Sequence, residues 1–432
     1  MISPEILRNN PQLVKDSQLA RGESIEIVEN FEKVDKNWRL LNIETDTLRS
    51  KLKDISKEIG EIKIQQKKDG NTVNQDLLDS KTKLATDLSN EIKLKSEKLD
   101  QLKQEADEYI LQLSNLLDPE APTGTETDFK IIETIGEQRN FNTEGFKPKD
   151  HLELAKNLID MERGAKVSGS RFYFLKSEMA LLELALVNFA MDVAQEFGFS
   201  PVIPPSLVKP EAMEGTGFLG QAAENVYRIE QDDLYLVGTS EVPLAAMHMN
   251  EIIESNDLPI KYAAFSPCFR REAGSHGKDT KGIFRVHWFD KVEMFVYCEP
   301  EEAKKIHQQL LEIEKTVLKR LEIPFRVIDV ASQDLGSSAA RKFDCEAWIP
   351  SMNQYRELTS TSNCTDFQSR RLMIRSRKNN QTNYLATLNG TLIAVTRTII
   401  ALLENHQQKD GSVKVPSALK SYLKNKEVIL SK

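Results

Sequence analysis

The 432-residue chain has only four cysteines, and their spacing matches no metal-binding or redox pattern. Cys268, Cys298, Cys345 and Cys364 form no C-x-x-C pair, and none of the six histidines clusters with them. Zinc sites and disulfide frameworks rest on such spacings, so the sequence argues against both. Free thiols suit a reducing compartment, and we expect a cytoplasmic protein.

Long hydrophobic runs and a strongly basic composition are also missing. The longest apolar stretch, residues 181–194, is interrupted by Glu183, Asn188 and Asp192 and is too short and polar to span a membrane. The first residues do not form a secretory signal. The net charge of −8 argues against a general nucleic-acid coat, although it permits a local basic surface.

Proline is absent between residues 13 and 118, where apolar residues recur at steps of three, four and seven. These positions are Leu41, Leu48, Leu52, Ile55, Ile59 and Ile62, followed by Leu84, Leu88, Ile92, Leu99, Leu102, Ala106 and Leu113. Turn residues at 68–74 separate the two runs. The pattern predicts an antiparallel coiled-coil hairpin whose first helix, residues 29–68, is ~60 Å long. A dimerisation rod is the alternative, but the short seam and tight turn favour an arm that reaches a partner.

The composition changes near residue 118, and the remainder of the chain mixes helix and strand signals. Helices are predicted at residues 151–161 and 176–197, and strands at 234–237, 262–269, 284–295, 325–330 and 343–348. Strands without regular βαβ alternation predict an α+β domain around an antiparallel sheet. We therefore expect two domains, residues 1–118 with an arm at about 29–113, and residues 119–432.

The usual phosphate-binding loops are absent, since no GxxxxGK[ST] motif occurs and no GxGxxG follows a strand. A nucleotide would therefore need side-chain cations and a metal. Arg270 ends an apolar strand and could grip a phosphate or a carboxylate through paired donors. Arg397 opens an apolar helix, where a buried guanidinium needs an anionic partner. Glu357 is a candidate Mg²⁺ ligand.

Each of these signals has an ordinary structural alternative. Arg270 could form a surface ion pair, and Glu293, between two apolar neighbours, could be a structural acid. Thr239 and Glu241 could be a helix N-cap and its first-turn acid. The functional interpretation rests on their combination.

Five ordered segments resemble the motifs of bacterial-type seryl-tRNA synthetases, and the resemblance spans essentially the whole chain. They are GFSPVIPP at 198–205, the loops at 214–220 and 236–244, the pair of segments at 265–274 and 282–294, RELTSTSNCTDFQSRR at 356–371, and the segment at 387–397. The first would place Pro205 in a homodimer interface. Thr396 departs from the family, which often has glycine before the final arginine.

The resemblance implies a role for each matching residue. The implied ATP-binding residues are Arg270, Arg271, Glu272, Val286, Glu357, Leu358, Thr359, Ser360 and Arg397. The implied serine-binding residues are Thr239, Ser240, Glu241, Arg270, Glu293, Asn389 and Thr391. Mg²⁺ would be held by Glu357 and Ser360, and the residues at the reacting atoms would be Arg270, Glu293 and Arg397.

The implied activity is ATP-dependent formation of seryl-adenylate and transfer of serine to tRNA(Ser), with tRNA(Sec) as a second expected acceptor. Two rival functions remain. A paralogue that loads a carrier protein would not need the long arm. An inactive scaffold or tRNA chaperone would not need Arg270, Glu272, Glu293, Glu357 and Arg397 together.

Overall fold

The computed structural model describes residues 1–69, 75–220, 223–273 and 281–430. It divides into two compact units, one of residues 2–19 and 23–113, the other of Met1, residues 20–22 and residues 114–432. Most of the predicted hairpin turn at 68–74 lies outside the described residues, as does most of the Gly-, Ser- and Lys-rich segment at 274–282. No helix in the described ranges is long and apolar enough to cross a membrane.

The first unit is helical and contains the predicted hairpin. Its helices are α1 (Pro4–Asn9), α2 (Pro11–Ala20), α3 (Glu26–Asp69) and α4 (Gln75–Gln112). Glu58 pairs with Lys81, and Glu44 pairs with Lys95 at 3.0 Å. The earlier residue of α3, Glu44, thus pairs with the later residue of α4, Lys95, so the two helices are antiparallel, as predicted.

The hairpin seam follows the predicted heptad positions with one exception. Leu84 is 48% exposed, and Ala85 takes its place at the half-buried position. The other predicted seam residues are buried or half-buried. Helix α3 also begins three residues earlier than predicted, where the Ser24 hydroxyl accepts the Glu26 N–H. A hydroxyl at this place accepts a backbone N–H of the first turn, which has no acceptor within the helix.

The second unit is built on an antiparallel sheet. Its strands are β1 (Lys130–Ile135), β2 (Ile159–Asp160), β3 (Phe174–Leu175), β4 (Ser200–Val202), β5 (Leu207–Val208), β6 (Tyr227–Ile229), β7 (Leu234–Leu236), β8 (Ile252–Glu254), β9 (Ile260–Phe269), β10 (Trp288–Cys298), β11 (Phe325–Asp329), β12 (Arg341–Ile349), β13 (Gln354–Asn363), β14 (Arg375–Lys378), β15 (Gln381–Tyr384), β16 (Ala386–Ala394), β17 (Val413–Lys414) and β18 (Val428–Ile429). Its helices are α5 (His151–Ala155), α6 (Met161–Ser168), α7 (Glu178–Glu196), α8 (Pro210–Thr216), α9 (Glu241–Ala246), α10 (Ala303–Arg320), α11 (Phe367–Leu372) and α12 (Val395–His406).

The main sheet has the strand order β1-β11-β12-β13-β16-β10-β9-β4. All neighbours in it are antiparallel except β4 and β9. The predicted α+β class is thus confirmed. Smaller sheets join β5, β6 and β7, and β8, β14 and β15, while β2 pairs with β3 and β17 with β18.

Two predicted elements are wrong in their bounds. The helix predicted at 151–161 ends at Ala155, because Lys156 has a positive φ of 48° and residues 159–160 join a strand. Its start is well specified, since Asp150 and Glu153 form a capping box. The strand predicted from residue 284 begins only at Trp288, and residues 284–286 instead line the cavity described below.

Helices α7, α10 and α12 pack on the sheet and form the main hydrophobic core. Leu186 of α7, Leu310 of α10 and Ile399 of α12 are almost completely buried in it. Burying a side chain of this size contributes about 1.5–3 kcal/mol. Because side chains alternate across a strand, the residues between the core positions point to the other face of the sheet.

Candidate active site

A cavity lies over the central strands of the sheet. Most of the predicted site residues line it, namely Thr239, Glu241, Arg270, Glu272, Val286, Glu293, Glu357, Leu358, Ser360, Asn389, Thr391 and Arg397. Residues from distant parts of the sequence thus meet at one place. Arg271, Ser240 and Thr359 are not among the lining residues.

Three polar side chains from adjacent strands form a line across the cavity floor, and Asp344, which does not line the cavity, continues it on the next strand. We call these four the polar row: Asp344, Ser360, Thr391 and Glu293. Asp344 is paired with Ser360 across β12 and β13, and Thr391 with Glu293 across β16 and β10. The pairing of Thr361 with Gly390 brings Ser360 beside Thr391. The Thr391 hydroxyl lies 3.5 Å from Glu293 Oε2. The row gives the floor a run of acidic and hydroxyl groups.

Two irregularities in strand register decide which side chains face this floor. Glu357 pairs with Glu346 while Thr359 pairs with Cys345, so Leu358 is an extra residue in β13. In β16, Leu392 is likewise extra between Thr391 and Ile393. A β-bulge re-aims the side chains on its strand. Both Glu357 and Ser360 consequently line the cavity, which simple alternation would not allow.

Buried acids and an amide occupy one end of the cavity. Glu241 accepts hydrogen bonds from Gln368 Nε2 at 2.7 Å and Asn389 Nδ2 at 2.9 Å. Asn389 Nδ2 also lies 3.3 Å from Glu293 Oε1. Burial, and then the nearby Glu293, raise the pKa of Glu241 to about 7. This end can therefore bind a small molecule that carries an ammonium group and a hydroxyl.

Lys291 completes this end, and it was missing from the predicted residues. Its ammonium contacts Glu293 and lies 2.6 Å from Thr239 Oγ1, and the side chain is buried. The signal was its position two residues before Glu293, since residues i and i+2 of a strand face the same side. The Thr239 hydroxyl also accepts the Glu241 N–H at 3.2 Å, but α9 begins at Glu241 with Ser240 as its N-cap, so the N-cap alternative for Thr239 is wrong by one residue. Glu241 is the acid of the first helical turn and also lines the cavity.

Two arginines and two phenylalanines form the other end. Arg270 Nε donates to the Gly238 carbonyl at 3.2 Å, and its guanidinium lies 5.2 Å from the Phe289 ring. Arg397 donates to the Glu357 carbonyl at 3.1 Å and lies 4.9 Å from the Phe284 ring. These contacts hold both cations at the cavity, where they can bind anionic oxygens.

Glu357 is an ionised carboxylate at this end. Burial alone would raise the pKa of Glu357, but Arg397, Lys342 and Arg270 together lower it to about 2. Its Oε2 lies 3.3 Å from Arg397. Lys342, which lines the cavity beside it, was also missed, because a single lysine in a strand gives no signal in the sequence.

The donors around Glu357 suit a hard cation. Glu357 and Ser360 offer a carboxylate and a hydroxyl, and Asp344 Oδ1 has no hydrogen-bond partner within the described ranges of the chain. Mg²⁺ prefers such oxygen ligands and usually takes only one or two carboxylates, with phosphates and water completing its shell. Among the described residues, no group of three or more His, Cys, Asp or Glu side chains could hold a metal. This is compatible with Mg²⁺, which needs only one or two protein carboxylates.

The remaining predicted residues occupy other surroundings. Glu272 pairs with Arg285 at 2.8 Å at the cavity edge, beside the buried Val286. Arg271 is exposed, donates to the Val226 carbonyl at 3.0 Å and stacks on Tyr227.

Two predicted residues have hydroxyls buried away from the lining. Ser240 is fully buried, and its hydroxyl has no hydrogen-bond partner among the residues that the structure describes. Thr359 faces the opposite side of the sheet, where its hydroxyl donates to Glu314 at 2.9 Å.

Comparison with known proteins decides the family. The seryl-tRNA synthetase N-terminal domain model matches residues 1–117, and the tRNA synthetase class II core domain (G, H, P, S and T) matches residues 225–406. The serine–tRNA ligase of Streptomyces coelicolor is 56% identical over 431 residues, 99% of each chain. The chain belongs to the seryl-tRNA synthetase family. The resemblance inferred from the motifs is thereby confirmed.

Solved structures of this family share the fold over the whole chain. The seryl-tRNA synthetase from Pyrococcus horikoshii complexed with ATP has a TM-score of 0.93 and 40% identity, and the match covers 100% of both chains. The cytoplasmic serine–tRNA ligase from Naegleria fowleri in complex with AMP has a TM-score of 0.87 and 33% identity, with 98% of this chain and 96% of that one covered.

Proposed function

We propose that the chain activates L-serine with ATP and then transfers the seryl group to tRNA. The observation that carries this proposal is a single cavity with complementary ends. Glu241, Glu293, Asn389 and Thr391 lie at one end, and Arg270 and Arg397 lie at the other. Acids suit the ammonium of an amino acid, and arginines suit phosphates. Family membership and the ATP and AMP complexes of the two solved relatives support the nucleotide.

In the first step, a serine carboxylate oxygen forms a bond to the α-phosphorus of ATP. The bond from that phosphorus to the α,β-bridging oxygen breaks, and pyrophosphate leaves with the electron pair. Arg270 neutralises charge on the α-phosphate and orients the carboxylate, while Arg397 holds the departing phosphates. Such preorganised cations supply most of the transition-state stabilisation, because the protein itself forms no covalent bond with the substrates.

In the second step, a hydroxyl of the terminal tRNA adenosine attacks the seryl carbonyl carbon, and AMP leaves. The residues that bind serine must hold it in place through both steps. Glu241 would take the ammonium group, and Glu293 with Thr391 the side-chain hydroxyl. Alanine would leave these buried groups without a partner, which is the costly kind of mismatch.

Mg²⁺ fits as the second cofactor, with Glu357 and Ser360 as its protein ligands. When bound, it would neutralise phosphate charge and orient the triphosphate. Asp344, opposite Ser360 on the next strand, adds a further carboxylate to these surroundings.

The helical arm would bind the acceptor tRNA. We assign residues 1–118 to a tRNA-binding domain with its arm at about 29–113, and residues 119–432 to a catalytic and dimerisation domain. Exposed lysines on α3 offer phosphate contacts, namely Lys51, Lys53, Lys57, Lys63, Lys67 and Lys68. tRNA(Ser) is the proposed acceptor, with tRNA(Sec) as a second, and recognition would rest on RNA shape.

An exposed apolar surface supports a homodimer. Val167, Phe174, Leu181 and Leu184 are exposed around α6, β3 and α7, and Ile203 beside β4 is 82% exposed. Patches of this kind mark interaction sites. Ile203 belongs to the segment at 198–205 that resembles the family's dimer motif. The four cysteines are free and buried, which suits the proposed location in the cytoplasm.

The test is serine-dependent exchange of labelled pyrophosphate into ATP, with alanine, threonine and glycine in parallel. Exchange with serine alone, followed by serylation of tRNA(Ser), is the expected result. Exchange without tRNA charging would instead favour a carrier-loading enzyme. Binding of tRNA without exchange would favour the scaffold or chaperone. Serylation of tRNA(Sec) is measured in the same assay.

The arm has a separate test. Replacing Lys53, Lys57 and Lys63 by glutamate should raise the KM for tRNA by about tenfold or more while pyrophosphate exchange stays unchanged, because each lost phosphate contact removes salt-dependent affinity. The matched control replaces Lys304, Lys305 and Lys319 of α10 by glutamate, which should leave both activities near wild type. Equal KM values in the two triple variants would refute the assignment of these lysines.

A further inference from the structure

A carboxylic acid lies buried behind the cavity floor, on the side of the sheet that faces away from the substrates. Glu314 belongs to α10, which packs against β13 and β16, and its exposed fraction is 0%. Apolar residues surround it on the helix, with Leu310, Ile313 and Val317 all buried. A leucine would fill similar space without the cost of removing a carboxyl group from water. Its presence therefore calls for a reason other than packing.

The Glu314 carboxyl contacts β13 and β16, the two central strands of the polar row, which carry Ser360 and Thr391. Its Oε2 accepts the Thr359 hydroxyl of β13 at 2.9 Å. Its Oε1 has no hydrogen-bond partner in the described part of the chain and lies against β16 at Gly390. A Cβ atom at Gly390 would lie 2.8 Å from that oxygen, closer than real Cβ contacts allow. The carboxyl thus occupies the space that a side chain at residue 390 would need.

Both contact points are next to cavity residues. Thr359 directly precedes Ser360, and Gly390 lies between Asn389 and Thr391. On the same back face, the Thr361 hydroxyl donates to the Asn389 carbonyl at 2.9 Å. A shift of Gly390 toward or away from α10 would therefore move Asn389 and Thr391 with it, since consecutive residues share one rigid strand.

We propose that Glu314 is a positioning residue for amino-acid recognition. From the back of the sheet, its carboxyl fixes how far Asn389 and Thr391 project into the cavity. This inference rests on the proposed function. Burial, with Asp344 and Glu293 nearby, raises the pKa of Glu314 well above its ordinary range. This shift favours the neutral acid, and glutamine is the closest mimic of that form in shape and charge.

The experiment compares Glu314→Gln, Glu314→Leu and a matched control, Leu310→Ala, which removes a buried core side chain from the same helix. Pyrophosphate exchange gives the KM values for serine and ATP and the kcat, and thermal unfolding gives the Tm. E314Q should stay within about threefold of wild type. E314L should raise the KM for serine by about tenfold or more, with the KM for ATP changed less than about threefold, because small displacements at a binding site are costly. L310A should lower the Tm without raising the KM for serine selectively over the KM for ATP.

Two results would overturn the proposal. One is an E314L enzyme with a wild-type KM for serine, whatever its Tm. The other is an equal rise in the KM values for serine and ATP, which would indicate general disruption of the sheet. If the wild-type enzyme shows no exchange with any amino acid, the proposed function has failed, and this outcome is distinct from either.

A pair of substitutions tests the contact itself and does not depend on E314L folding. Gly390→Ala alone should raise the KM for serine, because its Cβ atom meets Glu314 Oε1. Adding Glu314→Ala should recover at least about threefold of that loss by removing the opposing atom, a coupling expected of residues in contact. Additive effects of the two substitutions would contradict the proposed role.

Discussion

Thr391 lies directly opposite Glu293 on the neighbouring strand, with its hydroxyl 3.5 Å from Glu293 Oε2. This pairing places a hydroxyl and a carboxylate side by side on the floor of the cavity. A serine hydroxyl bound there could both donate to the acid and accept from the threonine. On the proposed function, we predict that this pair determines selection for serine over alanine.

Replacing Thr391 by valine should weaken that selection. The shape is kept while one hydrogen-bond partner is lost, so kcat/KM for serine should fall about 10–100-fold with little change for alanine. Pyrophosphate exchange with both amino acids measures the ratio. Thr391→Ser is the control and should retain most activity. An unchanged serine-to-alanine ratio in T391V would exclude this role.

Replacing Arg397 by alanine should impair adenylation. The variant removes a cation from the phosphate end, and loss of one preorganised group of this kind costs about 10²–10³-fold in rate. Initial rates of pyrophosphate exchange at varied ATP give the measurement. Arg377→Ala, which removes an exposed arginine of β14 outside the cavity, should behave as wild type. Equal rates for the two variants would argue against a phosphate role for Arg397.

Serine binding should weaken as the pH falls below neutrality. The pKa of Glu241 is raised to about 7 by burial and by Glu293, so Glu241 becomes protonated between pH 8 and pH 6. A protonated acid no longer attracts the substrate ammonium, and the KM for serine should rise toward low pH. In Glu241→Gln the KM should be high and nearly constant over this range. A wild-type KM that does not change between pH 6 and pH 8 would contradict the assignment.

Glu314 should also affect stability in a pH-dependent way. Its folded-state pKa lies above that of the unfolded chain, so the native state binds more protons at this group as the pH rises past about 4.5. The free energy of unfolding therefore falls with rising pH until the folded pKa is reached. Glu314→Gln removes this slope, so its Tm relative to that of the wild type should rise as the pH increases above about 4.5. A constant Tm difference would indicate that the group is not shifted.

The sequence predicted the parts of this protein that depend on local periodicity. The heptads of α3 and α4 predicted the hairpin, because an a/d seam has a regular spacing. Leu84 deviates because local packing selected Ala85 for the seam. The strand ends around Arg270 and the helix start at Arg397 were also predicted, since polar residues at the edge of apolar runs mark these places.

The sequence did not reveal how distant strands meet. The extra residues Leu358 and Leu392 leave no mark in composition, yet they decide that Glu357 faces the cavity while Thr359 faces Glu314. Lys342 became a candidate only once β12 was placed beside β13 and Ser360, whereas Lys291 had a signal in its spacing from Glu293 on the same strand. Glu314 was not predicted because its partners lie about 45 and 76 residues away along the chain.

The two bulged strands have a genetic consequence. Point substitutions can change the chemistry of the cavity one side chain at a time, whereas the loss of a residue from a regular part of either strand would exchange front for back on one side of the change. Deletion of Leu358 or Leu392 itself would instead restore simple alternation, with Glu357 and Ser360, or Thr391 and Ala394, still on the cavity face. Single-codon deletions should therefore be tolerated better at these two bulge positions than in the regular parts of the same strands.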